Sequence, residues 1–466
     1  MFHSCQFTRS TGVVLRCRVR AAWLSGHDST MKQSSPASSA GNPILLGLSG
    51  LGSAVWVLCW LLGGPVSVIG PAMVASLALF AIYCQTNTRW QVFTFTFWVL
   101  AGVAAAMFYP ALFDTWGGFK LSRLNVPLIQ IIMFGMGASL SIGDFLAALK
   151  MPKAVLIGMF LQFTVMPLVG WTVATGFGFE PEVAAGIILI GACSGGVASN
   201  VMVYLARGNV ALSVTMTACS TLMAPIMTPL AMKLLAGRMI EISFWAMMLS
   251  IINMVIIPIA GGLIANKILE RRRPVGEFLR LIAPLTVVIA GGVAAVTAGG
   301  RALAGQPVAD GLAKEALILA AVTLVVGYLL NVLLAGNREL FDRILPIVSM
   351  AAICFIIAII ASGSRNELLS IGLLLLFAAL IHNVAGYALA YFLGGLAGLP
   401  ETDRRTVAFE VGMQNGGMGV GLALDVLKSS AAALGPAIFG TWMNITGSTL
   451  ASWWRERPPA PAPARR

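Results

Sequence analysis

Glu410 is the residue whose chemistry most needs an explanation. It lies in the run VAFEVGMQNGGMGVGLAL, residues 407–424, with no other charge between Arg405 and Asp425. If that run crosses a bilayer, an ionised acid within it costs a few kcal/mol even on lenient scales. The carboxyl is then either protonated or compensated by a bound cation. Arg405 is the nearest base in sequence and is expected at a membrane face. Asp425, beside Lys428, is expected to be interfacial. A second segment has the same character: GACSGGVASNVMVYLARGN, residues 191–209. Each segment holds clustered glycines and an amide, Asn200 or Asn415, followed by a further apolar turn or two. Neutral oxygens recur nearby. Ser199 adjoins Asn200, Ser213 and Thr217 share a helix face by their spacing of four, and Gln162 interrupts an apolar run before Met166-Pro167.

Glycines and polar residues at mid-membrane depth fit an unwound helix. Unwound backbone survives there only where protein or a water-filled cavity covers it. Two such segments in the two halves of a chain point to a transport site built from broken helices. A helix that resumes after a break offers free N–H groups and the positive end of its dipole to an anion. Carbonyls freed at the break are hard oxygen donors for an alkali cation. The competing reading is that the glycines only let helices pack closely.

The elements that must position these groups are membrane spans. Of 466 residues, 58% are hydrophobic and 10% charged, whereas a soluble domain carries about a quarter charged residues. The pattern reads as about fourteen spans, near 44–63, 67–84, 91–110, 125–141, 154–174, 184–206, 209–236, 244–266, 281–299, 313–335, 345–362, 369–395, 405–427 and 431–452. Net charge is +12, and the bases sit in short loops. Arg89, Lys150, Lys153, Arg207, Arg271, Arg272, Arg273, Arg280, Arg338, Arg343, Arg404 and Arg405 all fall on one side if the spans alternate. That places both termini on the cytoplasmic side and argues against nucleic acid as a partner.

Residues 1–43 are polar, with Arg9, Arg16, Arg18 and Arg20 before the first acid, Asp28. They read as an organellar transit peptide or as a start placed too early, with Met31 the true one. The ending RERPPAPAPARR reads as a disordered basic tail over 456–466. The seven cysteines show no CxxC spacing and read as packing residues. His382, in an apolar run, reads as a polar packing residue. No HExxH and no paired catalytic acids are present, so an enzyme is not expected.

The run ASNVMVYLARGNVALSVTMT, the string EVGMQNGG and the early PLIQIIMFGMG strongly resemble the bile acid:sodium symporter family. The resemblance covers roughly 91–270 and 343–455. It implies an all-α polytopic membrane protein with a ten-helix inverted-repeat (5+5) transporter core and two discontinuous crossing helices. Two extra N-terminal spans (44–90) and an inserted pair (271–342) would complete the fourteen, with 91–270 the first repeat plus the sixth core helix and 343–455 the remainder. The resemblance also implies two Na⁺ ions and no organic cofactor. The first ion would be held by Ser199, Asn200, Ser213, Thr217 and Glu410. The second would be held by Gln162, Glu410, Gln414 and backbone oxygens of Val411 and Met413. Asn200 and Asn415 would face the organic anion. In the last span, FGTWMNITGS, this chain has Met443-Asn444 where a bile-acid-binding relative has His-Asn, which shifts the expectation toward smaller carboxylates such as keto acids or pantoate-like compounds.

The functional expectation is Na⁺-coupled symport of a small organic anion by alternating access, in a plasma or bacterial inner membrane, or in a plastid or other organelle envelope. A proton-coupled or uncoupled carrier, or a non-transporting sensor or structural subunit on the same fold, is the alternative.

Overall fold

The computed structural model describes residues 41–87, 90–147, 150–269 and 338–457, with a few isolated positions besides. The expected polar segment up to residue 40, the pair of spans near 281–299 and 313–335, and most of the basic tail lie outside the described residues.

Helices dominate: α1 Pro43–Leu61, α2 Val66–Thr86, α3 Thr94–Phe108, α4 Asn125–Ser139, the short α5 Ile142–Ala147, α6 Pro152–Gly176, α7 Pro181–Ala192, α8 Ala198–Leu205 and α9 Val210–Leu235. Then come α10 Phe244–Ile251, a π-helical turn Ile252–Ile256 and α11 Ile257–Leu269. After the undescribed stretch follow α12 Arg338–Gly363, α13 Arg365–Leu396, α14 Glu401–Gly412, α15 Gly416–Asp425 and α16 Ser430–Arg455. Among the described residues, eight helices are long and apolar enough to cross a membrane by length and composition. Their outward faces are apolar, with Leu156, Phe160 and Leu168 on α6 and Leu369, Leu373 and Phe377 on α13 all exposed. Water cannot be the solvent of such faces at this density, because it would leave a large contiguous apolar surface uncovered.

Local chemistry sets the helix ends. Asn42 accepts from the Ile44 N–H at 3.0 Å ahead of Pro43, and Asn209 accepts from the Leu212 N–H at 3.2 Å to start α9. Such caps satisfy donors that a helix cannot pair internally. A short hairpin lies between α3 and α4. Thr115–Trp116 and Phe119–Lys120 pair as a two-residue antiparallel hairpin. Gly117 and Gly118 both have positive φ, 53° and 85°, which the tight turn between twisted strands requires.

The helices sort into two packed groups. One combines α6–α9 with α13–α16, and the other combines α3, α4, α11 and α12, while α10 packs against α9. The α1–α2 hairpin leans on α3. Each group has a backbone-to-backbone approach. A Cβ at Gly186 of α7 would lie 2.0 Å from Ala432 O of α16, and one at Gly137 of α4 would lie 2.1 Å from Ile259 O of α11. Small residues thus do here what they do in bilayers generally, bringing helices into close van der Waals contact. From α3 onward the chain runs through continuous helices, one interrupted helix (α7/α8) and a continuous one (α9). After α9 it does so again, with the interruption at α14/α15.

Candidate functional site

Both interruptions form where glycines crowd the sequence. At Cys193 and Met413 the chain leaves the helix for extended backbone. The two extended pieces run antiparallel and pair. Gly196 N–H donates to Met413 O at 2.9 Å and Asn415 N–H donates to Ser194 O at 2.8 Å, with Gly195 opposite Gln414. The pairing satisfies backbone groups that lipid could not. It also explains a glycine: a Cβ at Gly196 would sit 2.7 Å from Gln414 O. The helices then resume as α8 and α15. Asn415 caps the second, its Oδ1 accepting from Met418 N–H at 3.0 Å.

Glu410 lies on the last turn of α14, 1% exposed. Its Oε1 is 2.5 Å from the hydroxyls of both Ser199 and Ser213, and its Oε2 accepts from Thr217 at 2.7 Å. The same two serines have second acceptors. Ser199 Oγ is 2.6 Å from Gly196 O, and Ser213 Oγ is 2.7 Å from Asn200 Oδ1. A hydroxyl carries one proton, so with Glu410 ionised one short oxygen–oxygen contact at each serine has no hydrogen in it. The cluster holds more acceptors than protons, and a positive ion among them would remove that imbalance. Its donor set is all oxygen, which suits a hard cation.

Among the described residues, no base neutralises Glu410. Arg405 is buried, 4% exposed. Its guanidinium is committed elsewhere: to Glu401 at 2.9 Å, Ala206 O at 3.0 Å, Trp454 O at 3.2 Å and Arg457 O at 2.8 Å. Asp425 accepts from Ser250 at 2.7 Å and pairs with Lys428 at 3.6 Å.

A second polar group lies beside the break. Gln162 Nε2 donates to Cys193 O at 3.0 Å and to Gln414 Oε1 at 2.7 Å, and Gln414 Nε2 donates to Val411 O at 2.6 Å. Met413 O is taken by Gly196. Gln162, Val411, Met413 and Gln414 therefore gather around one stretch of unwound chain. Asn200 and Asn415 are both buried at the resumed helix starts. Asn415 Nδ2 lies 3.8 Å from Met133 Sδ of α4, so the second helix group reaches the site there. Met443 and Asn444 are placed differently. Asn444 donates to Gly440 O of its own helix at 2.8 Å, and Met443 is buried in an apolar cluster with Phe409 and Met413.

A family model described as Sodium Bile acid symporter family matches residues 126–306. An uncharacterized sodium-dependent transporter of Bacillus subtilis (strain 168) is 33% identical over 364 residues, covering 78% of this chain and 91% of that protein. The chain belongs to the sodium bile acid symporter family. A protein of Arabidopsis thaliana named probable sodium/metabolite cotransporter, chloroplastic, is 30% identical over 365 residues, 78% of this chain and 74% of its own. The ileal sodium/bile acid cotransporter of Homo sapiens is 30% identical over 304 residues, 63% and 67% respectively. The chain is accordingly a membrane transporter and not an enzyme.

Members of the site that sequence reading passed over are polar residues in ordinary helices. Ser220 accepts from Gly195 N–H at 3.2 Å, and it continues the Ser213–Thr217 stripe by one more turn, which is a readable signal. Asn209 donates to Asp403 at 2.9 Å and joins the α8–α9 turn to the start of α14. His382 is fully buried, its Nε2 3.0 Å from Met166 O and its ring 5.2 Å from Phe439, as a packing residue would be.

Proposed function

We propose that this protein is a sodium-coupled symporter of a small organic anion, working by alternating access. The observation that carries the reading is Glu410, a buried carboxylate ringed by Ser199, Ser213 and Thr217 with no basic partner among the described residues. One Na⁺ would be held by Ser199, Asn200, Ser213, Thr217 and Glu410. A second would be held by Gln162, Glu410, Gln414 and the backbone oxygens of Val411 and Met413. The anion would sit between the N-termini of α8 and α15, beside Asn200 and Asn415, with Met443 and Asn444 further along α16. The α6–α9/α13–α16 group would rock against the other. The five-element order that recurs on either side of α9 fits an inverted 5+5 core with added spans.

Two sodium ions carried with one monoanion move net positive charge. Each elementary charge crossing 100 mV contributes about 2.3 kcal/mol, so membrane potential adds to the concentration gradient. The names of the relatives support sodium coupling. The absence of His before Asn444 favours small carboxylates over bile acids. The working membrane would be a plasma or bacterial inner membrane, or an organelle envelope, with both termini cytoplasmic.

The experiment is uptake of a panel of radiolabelled small carboxylates into proteoliposomes at fixed pH. An inward Na⁺ gradient is expected to drive accumulation, and an inside-negative potential to increase it. Accumulation driven by a proton gradient alone, indifferent to Na⁺, would show the proton-coupled alternative to be the right one. No uptake of any kind would favour a sensor or structural subunit.

A further inference from the structure

We infer that Asn383 on α13 and Thr446 on α16 are a positioning pair for the cation site. They hold the unwound chain in register and do not themselves ligate the ion. The inference rests on the sodium reading above.

Asn383 is fully buried. Its Nδ2 donates to Gly412 O at 2.8 Å. Gly412 ends α14, two residues after Glu410 and two before Gln414. Rotation of the peptide at that point would swing Glu410 relative to Gln414, and so distort every proposed oxygen cage at once. Three backbone groups of this short stretch are tied to other elements: Gly412 O by Asn383, Met413 O by Gly196 and Asn415 N–H by Ser194 O. The last two ties come from the other interruption. The Asn383 tie comes from outside it.

The Thr446 hydroxyl donates to Asn383 Oδ1. That contact fixes which way round the amide sits. Turned over, the amide would set its oxygen against Gly412 O, two acceptors without a proton. The same hydroxyl also lies 3.4 Å from Trp442 O and 3.3 Å from Met443 O of its own helix. Back-bonding of that kind occurs for threonine in any helix, but these contacts are the long ones. Packing leaves the peptide little slack, since a Cβ at Gly412 would meet the Tyr387 ring at 2.2 Å.

The first half of the chain contains a counterpart. Gln162 on α6 donates to Cys193 O, the residue just past α7, at 3.0 Å. In each half an amide from the helix preceding the interrupted one grips a carbonyl at the interruption. Gln162 then reaches on to Gln414, within the proposed cage, whereas Asn383 turns to Thr446. One amide is placed as a ligand and its counterpart as a brace.

The test uses the purified full-length protein and sodium alone. Thermal unfolding is followed against Na⁺ concentration, with choline replacing sodium to keep ionic strength constant. Thr446→Val removes the hydroxyl with little change of shape, and Thr446→Ser returns it. Loss of one buried hydrogen bond that orients the site is expected to raise the half-saturating Na⁺ about fivefold in Thr446→Val. The stabilisation reached at saturating Na⁺ should persist, and Thr446→Ser should lie within about twofold of wild type. Asn383→Ala should shift the half-saturation further, by about tenfold. A Thr446→Val protein of any melting temperature whose half-saturating Na⁺ equals that of wild type overturns the inference, as does failure of Thr446→Ser to restore it. Thr446→Ala gives the same reading should Thr446→Val not fold. A wild-type protein with no sodium-specific stabilisation overturns the sodium reading and the brace together, which separates that outcome from failure of the pair alone.

Discussion

The hydroxyl of Ser213 lies 2.5 Å from Glu410 Oε1, joining α9 to α14 across 197 residues of chain. The Ser213 hydroxyl also lies 2.7 Å from Asn200 Oδ1 on α8. One small side chain therefore links a buried acid, an amide at a resumed helix and the continuous helix that braces both.

Ser213→Ala should weaken sodium binding without unfolding the protein. A hydrogen bond to a charged group contributes about 1.5–3 kcal/mol, so half-saturating Na⁺ is expected to rise about tenfold or more in uptake or thermal-shift assays. Thr217→Val, which removes the contact at Oε2, should move it the same way.

Asn415→Asp separates the anion from the cations. Aspartate caps helices as well as asparagine does, so the link to Met418 N–H should persist and α15 should remain folded. A fixed negative charge would now stand where the anion is proposed to bind. Uptake at saturating Na⁺ should fall at least about tenfold, while sodium-dependent stabilisation is retained.

Gly186→Ala tests packing apart from chemistry. The added methyl would meet Ala432 O at 2.0 Å, and overpacking of a tight contact costs about 1–3 kcal/mol. The melting temperature in detergent should drop by several degrees with half-saturating Na⁺ unchanged.

Arg405→Met asks whether this guanidinium serves Glu410. Its four hydrogen-bonding partners are Glu401 and three carbonyls. Removing it leaves three carbonyls without this donor, and an unsatisfied buried acceptor costs about 1–3 kcal/mol, so thermal stability should fall markedly. Half-saturating Na⁺ should not change. A large shift in it would make Arg405, and not a metal ion, the counter-charge of Glu410.

Much of this was legible from residue type and spacing. Long apolar runs announced the membrane helices, and glycines beside amides announced both interruptions. Ser213 and Thr217, four apart, point from one face of α9 at the same carboxylate. Other features depend on contacts that no local pattern encodes. The pairing of Gly195 with Gln414 joins segments more than 200 residues apart. Arg405 is legible as a base at the end of a span, but its burial within the protein is not. Its burial is made possible by carbonyls at the ends of α8 and α16, which complement a cation. Asn383 and Thr446 sit in membrane helices, where an amide or hydroxyl gives no sign of the distant group that it reaches. The hairpin at Thr115–Lys120 is signalled only by Gly117-Gly118, between the spans near 91–110 and 125–141.

The central claim is that Glu410 carries a sodium ion, and equilibrium binding of radioactive sodium to purified wild-type and Glu410→Gln protein tests it most directly. Wild type should bind Na⁺ saturably, and the amide variant, which keeps the shape but not the charge, should lose at least about a hundredfold in affinity. Equal sodium binding by the two proteins would contradict the account.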